Sequence, residues 1–290
     1  MSMLLFELAV ISIVVFYVVL HALKQPEGGH FLFRIVLVSA AAWMAEESCI
    51  LLYEFYGYSS KWNFFLNHLP LLVIVVWPVV IHSAWDLASQ MLGSRHRLIP
   101  LAAGGIVLTD AALIETVAVH CGLWSWNEPG IFHVPLIAIL GWAYFAFLCI
   151  LIFEEGRRRN ATKQFSLLIL ALPVIGTHLF LLITWWGALR WVNIPVDPRL
   201  AAGSAWALSL LLVYAILKNR TGTRVERKTL FLRLPAALYF YTLLALNASG
   251  SLLLIVFAVA FAPPYLTLIA NNIWFSRQQR SKTAGTFRCL

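Results

Sequence analysis

An all-α, polytopic membrane bundle is what the sequence predicts, and three observations predict it. Hydrophobic residues fill 61% of the 290 positions and charged residues only 12%, where a soluble domain carries roughly a quarter. Apolar runs recur along the whole chain at the length of about 20 residues that a helix needs to cross a bilayer with its backbone groups satisfied internally. The basic residues fall in alternate connections between those runs, the pattern of a chain that crosses repeatedly.

In order, spans are expected near residues 3–23, 31–53, 66–88, 98–119, 132–153, 165–187 and 200–217. The first has no basic residue before it and no clean small-x-small site after it, so it reads as a retained helix rather than a cleaved leader. The last apolar stretch, 231–275, is 45 residues long, enough for two crossings. Asn247-Ala248-Ser249-Gly250 offers turn chemistry between them, and Pro263-Pro264 is expected to bend or break the second half. Charge decides the count. Lys24, Arg34, Arg95, Arg97, Arg157, Arg158, Arg159, Lys163, Lys218, Arg220, Arg224, Arg227, Lys228 and Arg233, with Arg277, Arg280, Lys282 and Arg288, make 18 of the 21 basic residues, leaving Lys61, Arg190 and Arg199 on the other face. The positive-inside rule then predicts an external N-terminus, a cytoplasmic basic tail at 276–290 and an odd number of crossings, most simply nine. A single integral membrane domain, 1–290, leaves no room for a soluble one.

The net charge of +8 is spread over loops on one face, which suits topology and contact with anionic lipid rather than nucleic acid. Cys49, Cys121, Cys149 and Cys289 lack the spacing of a zinc site or a disulfide framework. The eight histidines form no HxxxH or HxxHH box, and no aspartate-rich diphosphate motif, Walker loop, dinucleotide fingerprint or GxSxG elbow occurs. No metal or organic cofactor is expected. The remaining reactive groups are carboxylate, histidine and tryptophan.

Four carboxylates read as intramembrane: Glu46 and Glu47 in the second span, Asp110 and Glu115 in the fourth. An ionisable group at bilayer depth costs a few kcal/mol on insertion scales, so it marks chemistry, transport or pairing. Adjacent glutamates on a helix point about 100° apart, so one of Glu46 and Glu47 faces a given cavity; Asp110 and Glu115 stand about 140° apart and need not share a site. The predicted topology places Glu46, Glu47 and Glu115 in the outer leaflet and Asp110 near mid-depth. Near that outer side stand His68 and Pro70, His120, the run Gly122-Leu123-Trp124-Ser125-Trp126, and His133 with Pro135. Tryptophans there also suit an interfacial belt, and Tyr53, Tyr56 and Tyr58 read first as interfacial anchors. Asp86 reads as a solvated helix end, and His178 with Thr177 as a hydrogen-bonding contact to a neighbouring helix. A carboxyl group in a low-dielectric site can hold its proton at neutral pH and give it to a weak base such as an alkene. Aromatic faces stabilise the resulting carbocation. Water capture of that cation is hydration and capture by an internal alkene is cyclisation. A proton-coupled transporter, expected to show an inverted repeat, and a non-catalytic membrane subunit are readings of another class.

The segment Asp110…Glu115…Gly122-Leu123-Trp124-Ser125-Trp126…Gly130…Val134-Pro135-Leu136…Gly141-Trp142 resembles the signature of bacterial membrane carotenoid-biosynthesis proteins of the CruF type, the carotenoid hydratases. Pro70-Leu71 followed by Trp77 resembles that family's proline-leucine to tryptophan stretch, and Glu46 or Glu47 its early intramembrane glutamate. The likeness spans about residues 40–145. His133 replaces a family glycine, and Ile137 and Ala138 replace small and amide residues. The resemblance implies addition of water to a terminal double bond of an acyclic carotenoid, without metal or organic cofactor, in a bacterial inner membrane. It further implies an acid and a base among Asp110, Glu115, Glu46 and Glu47, and substrate contacts from Trp124, Trp126 and Trp142; Trp77, His68 and His133, near the same outer side, are further candidates for substrate contact. The partners it implies are membrane lipid, the isoprenoid substrate and other enzymes of the carotenoid pathway.

Overall fold

A computed structural model describes residues 3–23, 28–93, 95–218, 225–247 and 251–271. Among these, nine helices are long and apolar enough to cross a membrane. The first five spans are α1 (Met3–Ala22), α2 (Gly28–Tyr53), α3 (Leu71–Leu92), α4 (Ile99–His120) and α5 (Leu136–Arg158). A short α6 (Thr162–Leu167) precedes the sixth span, in which α7 (Leu172–Thr184) runs through a π-helical turn at Trp185–Leu189 into α8 (Arg190–Val192). The last three spans are α9 (Pro198–Lys218), α10 (Arg227–Asn247) and α11 (Leu252–Val259), the last resuming as helix over 262–271.

The described part of the 231–275 stretch therefore falls in two helices, each long and apolar enough to cross, as expected from its length. Its second half breaks at Ala260 and Phe261, just before Pro263-Pro264, because a proline ring excludes the carbonyl four residues earlier from the helical ladder. The same effect corrects the sixth span, which begins at Leu172 rather than at 165. Pro173 lies in the first turn of α7, where its missing N–H costs nothing, and the residues before it form a separate 3-10 turn at Leu168–Leu170. Pro70 and Pro135 stand extended at the starts of α3 and α5. Residues 248–250 of the proposed turn, the basic tail, Lys24, Arg220 and Arg224 lie outside the described residues.

The central packing unit is α2 to α5. Ala41, Ala45, Ala84, Ala88, Ala103, Ala111 and Ala146 are buried in its core, and such small residues let helix backbones approach where lipid supplies no hydrophobic drive. Where α4 meets α5, a Cβ on Gly104 would stand 3.3 Å from the Phe147 Cβ. Large apolar side chains such as Leu8, Val36, Leu101, Ile183 and Leu211 point outward, toward the lipid that solvates a spanning helix.

α1 is the exception to apolar packing. Its only buried residues are Phe6, Glu7, Tyr17 and His21. Glu7 is a further carboxylate within a span, beyond the four expected ones; it accepts the backbone N–H of Asn63 at 2.9 Å and the Asn63 amide at 2.5 Å. At the other end of α1, His21 Nε2 lies 3.0 Å from Asp86 Oδ2, so Asp86 is a partly buried hydrogen-bond partner rather than a solvated terminus.

The connection into α5 is a tight turn around Gly130, where an added Cβ would lie 2.1 Å from the Val134 carbonyl oxygen and 2.6 Å from the Pro135 Cα. Gly130→Ala is expected to destabilise the fold by about 1–3 kcal/mol, the usual cost of overpacking, read as a lower thermal midpoint in detergent. Gly57→Ala, with nothing within 4 Å of its Cβ, should leave the midpoint unchanged. Equal midpoints for the two variants would contradict this turn.

Candidate active site

Two connections at the same end of the bundle are stitched together over the ends of α2 and α4. The strand β1 (Tyr56–Tyr58) follows α2, and after the short strands β2 (Phe65–Leu66) and β3 (Leu69–Pro70) the strand β4 (Trp124–Trp126) follows α4. β1 and β4 pair antiparallel with Tyr56 opposite Trp126 and Tyr58 opposite Trp124. Side chains alternate along a strand, so Gly57 and Ser125 face outward while all four aromatic rings face the bundle. Gly122, at φ +68°, turns the chain out of α4 into β4 in the left-handed conformation that glycine adopts freely. Trp62 braces this lid by donating its indole N–H to the Leu123 carbonyl at 2.9 Å.

Beneath the lid, two carboxyl groups each accept three aromatic hydrogen bonds. Glu115 Oε2 accepts from the indoles of Trp124 at 2.8 Å and Trp126 at 2.9 Å, and its Oε1 from Trp142 at 2.7 Å. Glu46 Oε1 accepts from the Trp77 indole at 3.0 Å, and its Oε2 from the hydroxyls of Tyr58 at 3.4 Å and Tyr56. Trp77 and Trp142 stack with centroids 4.3 Å apart, joining the two sets. Burial, reinforced by the Glu46 charge, pushes the Tyr56 and Tyr58 phenols well above their ordinary range, so they stand as fixed donors.

These groups line a cavity of about 60 Å³ with Cys49, Phe55, Phe145 and Thr177, and no lysine, arginine or histidine lines it. Since one water needs about 10–15 Å³ of such space, the cavity holds a few waters or a small branched hydrocarbon end. Thr177 supplies a different kind of group: its hydroxyl is buried and has no hydrogen-bond partner. A buried polar group left unpaired costs free energy.

The other expected site residues are placed elsewhere. Glu47 turns away from Glu46, accepts the His68 backbone N–H at 3.2 Å and meets His68 Nδ1 at 2.5 Å at the protein surface. The His68 side chain is 59% exposed, and His133 is also exposed. Asp110 opens onto a second, largely apolar cavity of about 1120 Å³ between α4, α9, α10 and the last span. There it pairs with Arg233 and accepts the Tyr265 hydroxyl at 2.9 Å, while Arg233 also donates to Ser83 at 2.7 Å. Arg233, expected in a loop, instead sits in the second turn of α10 as the counterion of Asp110. Tyr56 and Tyr58 are pocket walls rather than interfacial anchors. The signal for them was the Tyr-x-Tyr spacing that mirrors Trp-x-Trp. His178 bonds Ser48 at 2.8 Å and Tyr53 at 2.9 Å, the interhelical contact expected of it.

Residues 2–208 match the family described as carotenoid biosynthesis protein. The chain belongs to that family. No curated protein and no solved structure matches it. Every residue lining the smaller cavity lies inside the matched region, whereas Arg233 and Tyr265 lie beyond it.

Glu115→Leu would leave three indole donors without their acceptor, at a cost of about 1–3 kcal/mol for the buried one on Trp142 and less for the half-buried Trp124 and Trp126; Glu115→Gln keeps a carbonyl acceptor. The leucine variant should therefore unfold at a clearly lower temperature than the glutamine variant, with a larger change in tryptophan fluorescence. Identical unfolding would mean the indoles do not depend on this carboxyl group.

Proposed function

We propose that this member of the carotenoid biosynthesis family is a carotenoid hydratase of the hydro-lyase type, adding water across a terminal double bond of an acyclic carotenoid. The observation that carries the reading is the enclosure of two carboxyl groups, Glu46 and Glu115, by Trp77, Trp124, Trp126, Trp142, Tyr56 and Tyr58 in one small apolar cavity.

The chemistry follows from those parts. The terminal isopropylidene group of the polyene enters the cavity, whose size admits the end of a chain and not its length. One carboxyl group transfers its proton to the less substituted alkene carbon, leaving a tertiary carbocation. The indole and phenol faces stabilise that cation, and the hydrogen bonds to the carboxyl oxygens hold both groups in place before the reaction begins. Water attacks the cationic carbon, and its extra proton passes to the other carboxyl group as general base. The net change is alkene plus water to tertiary alcohol, and proton exchange between the two carboxyl groups restores the starting state. Glu46 and Glu115 are within electrostatic reach of each other, which couples the acid and base roles. The unpaired Thr177 hydroxyl is suited to hold the attacking water.

Asp110, Glu47, His68 and His133 fall outside this proposal, since none lines the cavity. In the orientation favoured by the basic residues, with the N-terminus outside and the tail in the cytoplasm, the lid and both catalytic carboxyl groups lie in the outer half of a bacterial inner membrane.

The test is expression in hosts accumulating lycopene or its C50 acyclic relatives, followed by chromatography and mass analysis. A product heavier by one water is expected, falling about 100-fold or more in Glu115→Gln and Glu46→Gln, the usual scale for loss of general acid or base catalysis. Thr177→Val should lower the hydrated product while leaving the protein folded. An isomer of unchanged mass would replace hydration by cyclisation, and unaltered pigments with folded protein in every host would defeat the enzyme reading. Asp110→Asn should act on stability instead: leaving the Arg233 charge without its partner costs about 3–5 kcal/mol, with hydration by the surviving folded protein retained.

A further inference from the structure

At the end of the bundle away from the tryptophan lid, α1 and α3 bring together two imidazoles, a carboxylate and a phenol. His21 and His82 are 4% and 6% exposed. Nε2 of His21 stands 3.0 Å from Asp86 Oδ2, and Nδ1 of His82 stands 3.7 Å from the same oxygen. The Tyr17 hydroxyl lies 2.9 Å from His82 Nδ1. One donor atom from each of His21, His82 and Asp86 falls within 4.8 Å of the others. Phe31 stacks on His21 and packs edge-on against His82, closing one side of the cluster.

We infer that His21, His82 and Asp86, with the Tyr17 oxygen as a fourth donor, form a binding site for a divalent transition-metal ion of the Zn²⁺ class that fastens α1 to α3. In a tetrahedral site with metal–ligand bonds of about 2.0–2.2 Å, neighbouring donor atoms stand about 3.4 Å apart. The observed separations of 3.0 and 3.7 Å bracket that value. The donor chemistry selects the ion. Mg²⁺ and Ca²⁺ rely on several oxygen ligands, and this cluster offers one carboxylate with Arg34, Lys228 and Arg233 in electrostatic reach. Imidazole nitrogen favours Zn²⁺ and its transition-metal neighbours over those hard cations. Arg233 is already neutralised by Asp110. The position suits a structural ion: α1 buries four residues, and two of them, Tyr17 and His21, belong to this cluster.

The experiment uses the full chain, purified in detergent through an affinity tag without histidines. After chelator treatment and gel filtration, Zn²⁺ is returned, bound metal is measured by mass spectrometry, and affinity by competition with a chromophoric chelator. One Zn²⁺ per chain is expected, together with a Zn²⁺-dependent rise in thermal midpoint and, with Co²⁺, visible absorption of tetrahedral character. His21→Ala and His82→Ala should weaken Zn²⁺ binding at least tenfold and abolish the thermal shift. Asp86→Asn, which keeps the shape of the side chain, provides the same test should a histidine variant fail to fold. No Zn²⁺ retained by the folded chain, or equal affinity in the folded Asp86→Asn variant, would overturn the site and leave a hydrogen-bonded clasp. The readout is metal binding alone, independent of the carotenoid chemistry.

Discussion

Every carboxyl group held within the spans must find its hydrogen bonds inside the protein, and that requirement organises the structure. Water cannot solvate these groups at bilayer depth, so each is matched to donors carried by a different part of the chain. Glu115 draws the lid tryptophans and Trp142 of α5 toward α4. Glu46 draws α3 through Trp77 and the α2–α3 connection through Tyr56 and Tyr58. Glu154 accepts the indole N–H of Trp85 at 2.6 Å and so ties α5 to α3 near the opposite end. The apolar surfaces give close packing, but lipid tails compete with them on nearly equal terms. The polar matches set which helices are neighbours and in what register.

α1 shows the same logic with less packing behind it. Phe6 meets Trp62 edge-on at 5.3 Å, yet most of the helix faces outward, and its register against α3 depends on Glu7 with Asn63 at one end and Tyr17 with His21 at the other. A helix held at its two ends by polar contacts can be apolar over the rest of its length without losing its place.

Much of the fold was legible because lipid imposes a strong filter on sequence. Span length, nine crossings, the double crossing of 231–275 and the break near Pro263-Pro264 all follow from backbone satisfaction and proline sterics. The start of the sixth span was misplaced because hydropathy does not register the interruption before Pro173. The pocket was half legible. Glu46, Glu115, Trp77, Trp124, Trp126 and Trp142 stand out as chemistry in an apolar chain, and they do converge. Which of Glu46 and Glu47 turns inward depends on helix rotation, and the pairing of Asp110 with Arg233 joins residues 123 apart in sequence. Periodicity carries no information on either. Glu7 was hidden by the strongly apolar run around it, and Thr177 became informative only when its hydroxyl was seen without a partner.

The pairing of β1 with β4 has a consequence for traffic. Joining two connections lays a strand pair across the top of the cavity, and the aromatic residues below leave space for only a few small molecules. For the proposed polyene substrate, dissolved in the bilayer, the direct approach is sideways, between helices, as a lipid moves. Under the proposed hydration, water would be a counted reagent rather than a solvent: present in a few copies, aimed at one carbon, and too scarce to quench a cation before the polyene is seated.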